Sequence, residues 1–174
     1  MDISTFMSYF TQYGLIAVFV IVFLEYLNLP GFPAGVIMPL AGIMAASGKN
    51  GFIVTIIVST AAGVLGSMLL YCLGRFGGAA FAKLVQKRFP KQQSKVDECI
   101  SWLQGKGYMG VFVAKLIPAV RTLISIPAGM IGLDPIKYIL WSSLGVLIWN
   151  SVFIGAGYFL GEGVFSLLKI GAQL

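Results

Sequence analysis

The sequence predicts an all-α integral membrane protein. It is read as an inverted repeat of a re-entrant helical hairpin plus a transmembrane helix, with interfacial amphipathic helices. Three observations predict this. Hydrophobic residues make up 58% of the chain and charged residues only 10%. A soluble domain keeps roughly 25% of its residues charged, so lipid must be the solvent for much of this surface. Mean hydropathy is +0.92. The apolar runs are broken by Pro/Gly clusters, and the charge is gathered in one stretch. The 174 residues are read as one membrane domain, 1–174. Its first half covers about 14–75, a basic linker about 76–106, and its second half about 107–161.

Met1-Asp2-Ile3-Ser4-Thr5 lacks the basic region of a signal peptide, so the first apolar run is read as part of the mature protein. That run is Gly14 to Leu29, and Val36 to Ala46 follows it. Each is short against the ~20 residues a spanning helix needs. Pro30-Gly31-Phe32-Pro33-Ala34-Gly35 lies between them and breaks any joining helix. Two half-length helices around a broken tip predict a re-entrant hairpin; two tilted full spans are the alternative. Phe52 to Leu73 is long enough to span, and Gly63, Gly66 and Ser67 allow close helix approach.

Residues 79–104 change character. Phe81, Leu84, Val85 and Phe89 share one helical face, and lysines occupy much of the rest. After Pro90 the pattern resumes at Val96, Ile100 and Leu103. One or two amphipathic helices in the interface fit this pattern. The stretch 75–106 holds seven of the twelve Lys/Arg residues, Arg75 to Lys106, against Asp97 and Glu98. Beside spanning segments that excess marks the cytoplasmic side, not a nucleic-acid site.

Tyr108 to Leu133 reads as a second broken hairpin, interrupted by Lys115, Pro118, Arg121 and Pro127. Asp134-Pro135 reads as an N-cap followed by proline at the first helical position. The helix it opens, Ile136 to Leu160, can span, with Trp141, Trp149 and Tyr158 as candidate interfacial anchors. The halves echo each other: Ala41-Gly42 recurs at 128–129, and Tyr71-x-x-Gly74 recurs at 158–161, an offset of 87 in both cases.

There is no histidine, which excludes Ser-His-Asp catalysis, histidine metal sites and histidine proton relays. Cys72 and Cys99 form no CxxC motif and suggest no disulfide framework. Neither an ATP-binding motif nor a metal-ligand cluster is visible, so no cofactor and no enzymatic activity are expected.

Four ionisable residues stand in or beside apolar runs: Glu25, Lys115, Arg121 and Arg75. Such residues need a partner, a wet cavity or an interfacial exit. Glu25 reads as a proton-titrating carboxylate or as half of a structural ion pair. Lys115 and Arg121 flank Pro118, where freed backbone and two cations suit an anionic headgroup; snorkelling is the plainer reading. Arg75 reads as a snorkelling anchor. Asn28 and Asn150 read as helix–helix hydrogen-bonding groups.

At these residues the sequence resembles the DedA family of VTT-domain, SNARE-associated proteins. Glu25-Tyr26-Leu27-Asn28-Leu29-Pro30-Gly31-Phe32-Pro33, followed by Ile37-Met38-Pro39-Leu40-Ala41-Gly42, is similar to its first signature. Gly66, Tyr71, Gly74, Arg75 and Gly78 resemble its second. Phe112 to Pro118, with Arg121 and Pro127-Ala128-Gly129, resembles its third, and Asn150 falls where the last helix often carries Asn. The sequence departs from the family at two places. Gly35 stands where many members have an acid, and Ala114-Lys115 stands where many have Gly-Arg. The resemblance implies a flippase or scramblase of the bacterial cytoplasmic membrane for phosphate-bearing lipids. Undecaprenyl phosphate is favoured over a phospholipid such as phosphatidylethanolamine. It would place the lipid phosphate on Arg121 and Lys115 and proton coupling or an ion pair on Glu25. Asn28, Pro30, Pro33, Pro118, Arg75 and Asn150 would support them. A proton-coupled small-solute exporter, an intramembrane lipid phosphatase and a structural adaptor are the competing readings. Protons are the candidate coupling ion, and a homo-oligomer is the candidate assembly.

The charge bias makes a topological prediction. In a Cys72→Ser/Cys99→Ser background, Gln93→Cys should resist an impermeant maleimide in intact cells and react after permeabilisation. Labelling of intact cells would put the linker outside.

Overall fold

The computed structural model describes residues 12–27, 35–46, 51–88, 90–118 and 120–171, with backbone alone for 79–96 and 162–171. The regular structure among them is entirely helical: α1 Leu15–Tyr26, α2 Ile37–Ala46, α3 Phe52–Arg88, α4 Pro90–Lys115, α5 Ser125–Met130 and α6 Pro135–Gly171. Segments Phe52–Gly78 and Pro135–Gly161, each of 27 residues, are long and apolar enough to cross a membrane. At 1.5 Å per residue each reaches about 40 Å, more than the ~30 Å hydrocarbon core. With 12 and 10 residues, α1 and α2 reach only about 18 and 15 Å, half of that thickness.

Both long helices turn small and polar residues inward and aliphatic ones outward. On α3, Ser59, Ala62, Ser67, Leu70 and Tyr71 are buried, while Ile53, Ile57, Leu65, Leu69, Leu73 and Phe76 are exposed. On α6, Tyr138, Ser142, Val146, Asn150 and Ile154 are buried, while Ile136, Leu140, Leu144, Val152 and Phe159 are exposed. Water would penalise that arrangement; hydrocarbon favours it. Trp149, expected as an interfacial anchor, is buried and packs on Phe153 at 4.4 Å between centroids. It lies on the same inward face as Val146 and Asn150.

The chain forms two compact units, Met1–Gly63 with Leu147–Leu174 and Val64–Val146. In the first, α2 packs on the C-terminal part of α6 almost backbone to backbone. A Cβ at Gly42 would overlap the Ile154 carbonyl oxygen, and one at Gly157 would overlap that of Pro39. Phe52 closes this unit against Tyr158, 4.7 Å between centroids. In the second unit α5 meets α3 in the same way. A Cβ at Gly129 would overlap the Tyr71 carbonyl, and one at Gly74 that of Ile126. Around this contact lies a core of Tyr71, Leu103, Val111, Ala114, Ile124, Ala128 and Tyr138.

The two reciprocal contacts revise the register read from the text repeat. The hairpin residues 39/42 and 126/129 keep the offset of 87. The helix residues 71/74 correspond to 154/157, an offset of 83. The matching Tyr-x-x-Gly text therefore lies one helical turn away from the equivalent contact. Gly161, its last residue, instead breaks the helix with φ 44°.

Helix ends follow local chemistry. Asp134 Oδ1 accepts from the Lys137 N–H at 3.0 Å, and Pro135 occupies the first turn, where its missing N–H costs nothing. Gly107, φ 57° and ψ −137°, divides α4 into a linker helix and a hairpin arm, 108–115. The backbone of 79–88 and 90–104 is helical. The amphipathic faces expected there rest mainly on side chains outside the described residues.

Gly42→Ala and Gly129→Ala should each lower the melting temperature of the detergent-purified protein, by about 1–3 kcal/mol of overpacking. Gly77→Ala should be neutral or mildly stabilising, since its Cβ would meet nothing within 4 Å. Equal melting of all three would show that the glycine contacts do not hold the hairpins.

Candidate functional site

Residues 116–118 and 120–124 turn the chain between α4 and α5. Pro118 cannot donate to a helix, and the ladder tightens before it, with Leu116 N–H to Val113 O and Ile117 N–H to Ala114 O. Helical pitch resumes with Arg121 N–H to Ile117 O at 2.9 Å and Ile124 N–H to Val120 O at 2.9 Å. The turn buries Arg121 completely, at 0% exposure, and Lys115 stands at 1%.

The Lys115 ammonium donates to Ser67 Oγ at 2.8 Å, to the Arg121 carbonyl at 2.8 Å and to Ser125 Oγ at 2.9 Å. Each of these acceptors lies within ordinary hydrogen-bond range of the ammonium. Gly145 makes room: a Cβ there would lie 2.5 Å from Lys115 Cβ. Lys115 thus fastens the end of α4 to α3, to the start of α5 and to the peptide of Arg121. Tyr138 stacks on Tyr71, 4.5 Å between centroids, and its hydroxyl donates to the Ser67 carbonyl at 3.3 Å. The carboxylates of this unit, Asp97, Glu98 and Asp134, are all exposed.

Arg75 is exposed on α3 and makes specific hydrogen bonds. Its Nη1 donates to Tyr71 Oη at 2.7 Å and to the Leu133 carbonyl at 3.0 Å. The Tyr71 hydroxyl donates to that same carbonyl. Asp134 N–H donates to Tyr108 Oη at 3.1 Å, so the entry to α6 is held from both sides.

Glu25 belongs to the other unit. It is 3% exposed in the last turn of α1. Its neighbour Tyr26 donates to Asn150 Oδ1 at 3.1 Å, and Asn150 Nδ2 donates to Ser59 Oγ at 3.3 Å. Asn150 therefore links α1, α6 and α3, the helix–helix role expected of it. Asn28, Pro30 and Pro33 lie outside the described residues. Gly35 has φ +97°, which L side chains rarely adopt. The acid common in the family would need a different backbone there.

The sequence reading singled out the cations but missed Ser67 and Ser125 as the polar setting of Lys115, with Tyr138 beside them, and it missed Ser59 and Tyr26 as the partners of Asn150. A hydroxyl beside an ionisable residue in an apolar stretch was the available signal.

These features define a class: an all-α membrane protein with buried cations on a broken apolar hairpin. Comparison with known proteins agrees. The family model described as VTT domain matches residues 32–159. The chain is 33% identical over 156 residues to the alkaline phosphatase-like protein of Lactococcus lactis subsp. lactis, covering 87% of this chain and 72% of that one. It is 29% identical over 160 residues to undecaprenyl phosphate transporter A of Bacillus subtilis, with 92% and 78% covered. It is 30% identical over 147 residues to the inner membrane protein YqjA of Escherichia coli, with 83% and 66% covered. No solved structure matches significantly. The chain belongs to the VTT-domain family, the DedA proteins.

Removing one acceptor leaves a buried charged donor short of a partner. Ser67→Ala and Ser125→Ala should each destabilise the protein by about 1–3 kcal/mol, read as thermal melting in detergent. Melting unchanged in both would mean the ammonium finds other acceptors at no cost.

Proposed function

We propose that the protein is a membrane transporter that moves a phosphate-bearing lipid, undecaprenyl phosphate, between leaflets of the bacterial cytoplasmic membrane. The observation that carries this reading is Arg121, wholly buried beside Lys115 on a broken apolar hairpin. A cation at membrane depth costs at least ~2.5–3.5 kcal/mol on insertion scales, and a scaffold does not require one. A guanidinium offers the planar fork that matches a phosphate. Lys115 holds the Arg121 carbonyl, so in this reading it fixes the Arg121 peptide, and Arg121 takes the phosphate. The fully buried guanidinium belongs to a closed state, and the turn opens to admit a headgroup while the lipid tail stays in hydrocarbon.

Helices α1 and α2, each half a membrane long, support a re-entrant hairpin, and such broken elements are a transporter device. The name of the Bacillus subtilis relative supports the choice of lipid. Glu25 is the group proposed to couple protons. The chain contains no histidine, so the histidine-nucleophile route to phosphate-ester hydrolysis is closed. The assay nonetheless follows phosphate release, because one relative is named for that chemistry.

The test is reconstitution in liposomes with labelled undecaprenyl phosphate, phosphatidylethanolamine and a neutral lipid. Undecaprenyl phosphate should cross fastest, without phosphate release. Arg121→Ala should slow it at least tenfold. Arg121→Lys should raise the half-saturating lipid concentration, since it keeps the charge and loses the fork. Glu25→Gln should abolish the response to a pH gradient in a folded protein. Wild-type rates in Arg121→Ala would place the phosphate elsewhere.

A further inference from the structure

A cleft of about 200 Å³ lies in the Val64–Val146 unit, lined by Glu98, Cys99, Trp102, Ala114, Ile117, Val120 and Ile124. One wall comes from the linker helix and the other from the arm and turn that carry Arg121. Ile117, Val120 and Ile124 follow one another at helical spacing. The bonds from Arg121 N–H to Ile117 O and from Ile124 N–H to Val120 O keep that pitch. Arg121 therefore sits at the flank of the very face that lines the cleft. The walls are apolar apart from Glu98 at the rim, an exposed carboxylate.

We propose that this cleft seats the head-proximal isoprene units of a single-chain, polyprenyl-type lipid phosphate whose headgroup is taken by Arg121. The proposal rests on the reading of Arg121 as the phosphate site and adds where the chain goes. A ligand that engages both features must be anionic at one end and hydrocarbon at the other. Glu98 repels the phosphate from its own end, so the chain lies toward the linker helix and the head toward the turn. The Cys99 thiol is half-buried here, and burial together with Glu98 pushes its pKa up.

Cys99 also reports occupancy. In Cys72→Ser protein in detergent, the rate of Cys99 alkylation by a maleimide is measured with four probes: undecaprenyl phosphate, the corresponding alcohol, phosphatidylethanolamine and inorganic phosphate. Undecaprenyl phosphate should slow alkylation at least fivefold, and inorganic phosphate should not. Arg121→Ala should remove the protection. Equal protection by the alcohol, insensitive to Arg121→Ala, would mean adventitious filling by hydrocarbon and overturn the proposal. Stronger protection by phosphatidylethanolamine would overturn the single-chain occupant. Arg121-dependent binding of undecaprenyl phosphate, followed by thermal shift, with Cys99 alkylation unchanged would place the chain elsewhere and leave the transport reading standing. No binding at all would remove both. If Cys99 fails to react even without lipid, quenching of Trp102 fluorescence by a brominated-chain phosphate, in Trp141→Phe/Trp149→Phe protein, decides the same question.

Discussion

The fold depends on backbone meeting backbone. A helical arm of ten residues has little surface with which to hold a place in hydrocarbon, where apolar side chains gain nothing by leaving lipid. What remains is dispersion and weak Cα–H···O contact, and both need atoms within van der Waals range. Gly42 and Gly157 supply that range in one unit, and Gly74 and Gly129 supply it in the other. Without the close approach, the hydroxyls and amides on the facing helices would be too far apart to bond.

Polar groups then do what side-chain hydrophobicity does in water. In one unit a chain of donors runs from Tyr26 through Asn150 to Ser59 and ends on the Ile56 carbonyl. In the other, the Lys115 ammonium is the hub, and its three acceptors come from three segments. Each network ties together stretches distant in sequence. Each also has a definite geometry, which an oily contact lacks. That is why a buried cation can serve the fold here.

Much of this was legible beforehand. The Asp134-Pro135 cap, the two spanning helices and the short arms followed from composition and spacing, because proline, glycine and charge are unambiguous in an apolar chain. Lys115 and Arg121 stood out for the same reason. Ser67 and Ser125 did not, since a helical serine commonly bonds its own backbone and nothing local says that it will meet an ammonium 48 residues away. Trp149 was misjudged because belt and core tryptophans look alike until the inward face of the helix is known. The textual echo at an offset of 87 does not coincide with the paired glycine contacts on the long helices, which are 83 apart, because text records backbone contact only indirectly.

The break at Gly107 carries a mechanical consequence. A glycine with positive φ would ordinarily be a swivel. Here the Trp102 indole reaches across it and donates to the Gly110 carbonyl at 3.2 Å, and Gly110 has no side chain in the way. The bond spans the break and joins the linker helix to the arm that ends in Lys115. At the far end of that arm the ammonium meets the Arg121 carbonyl, so the braced break and the cationic turn lie on one continuous segment.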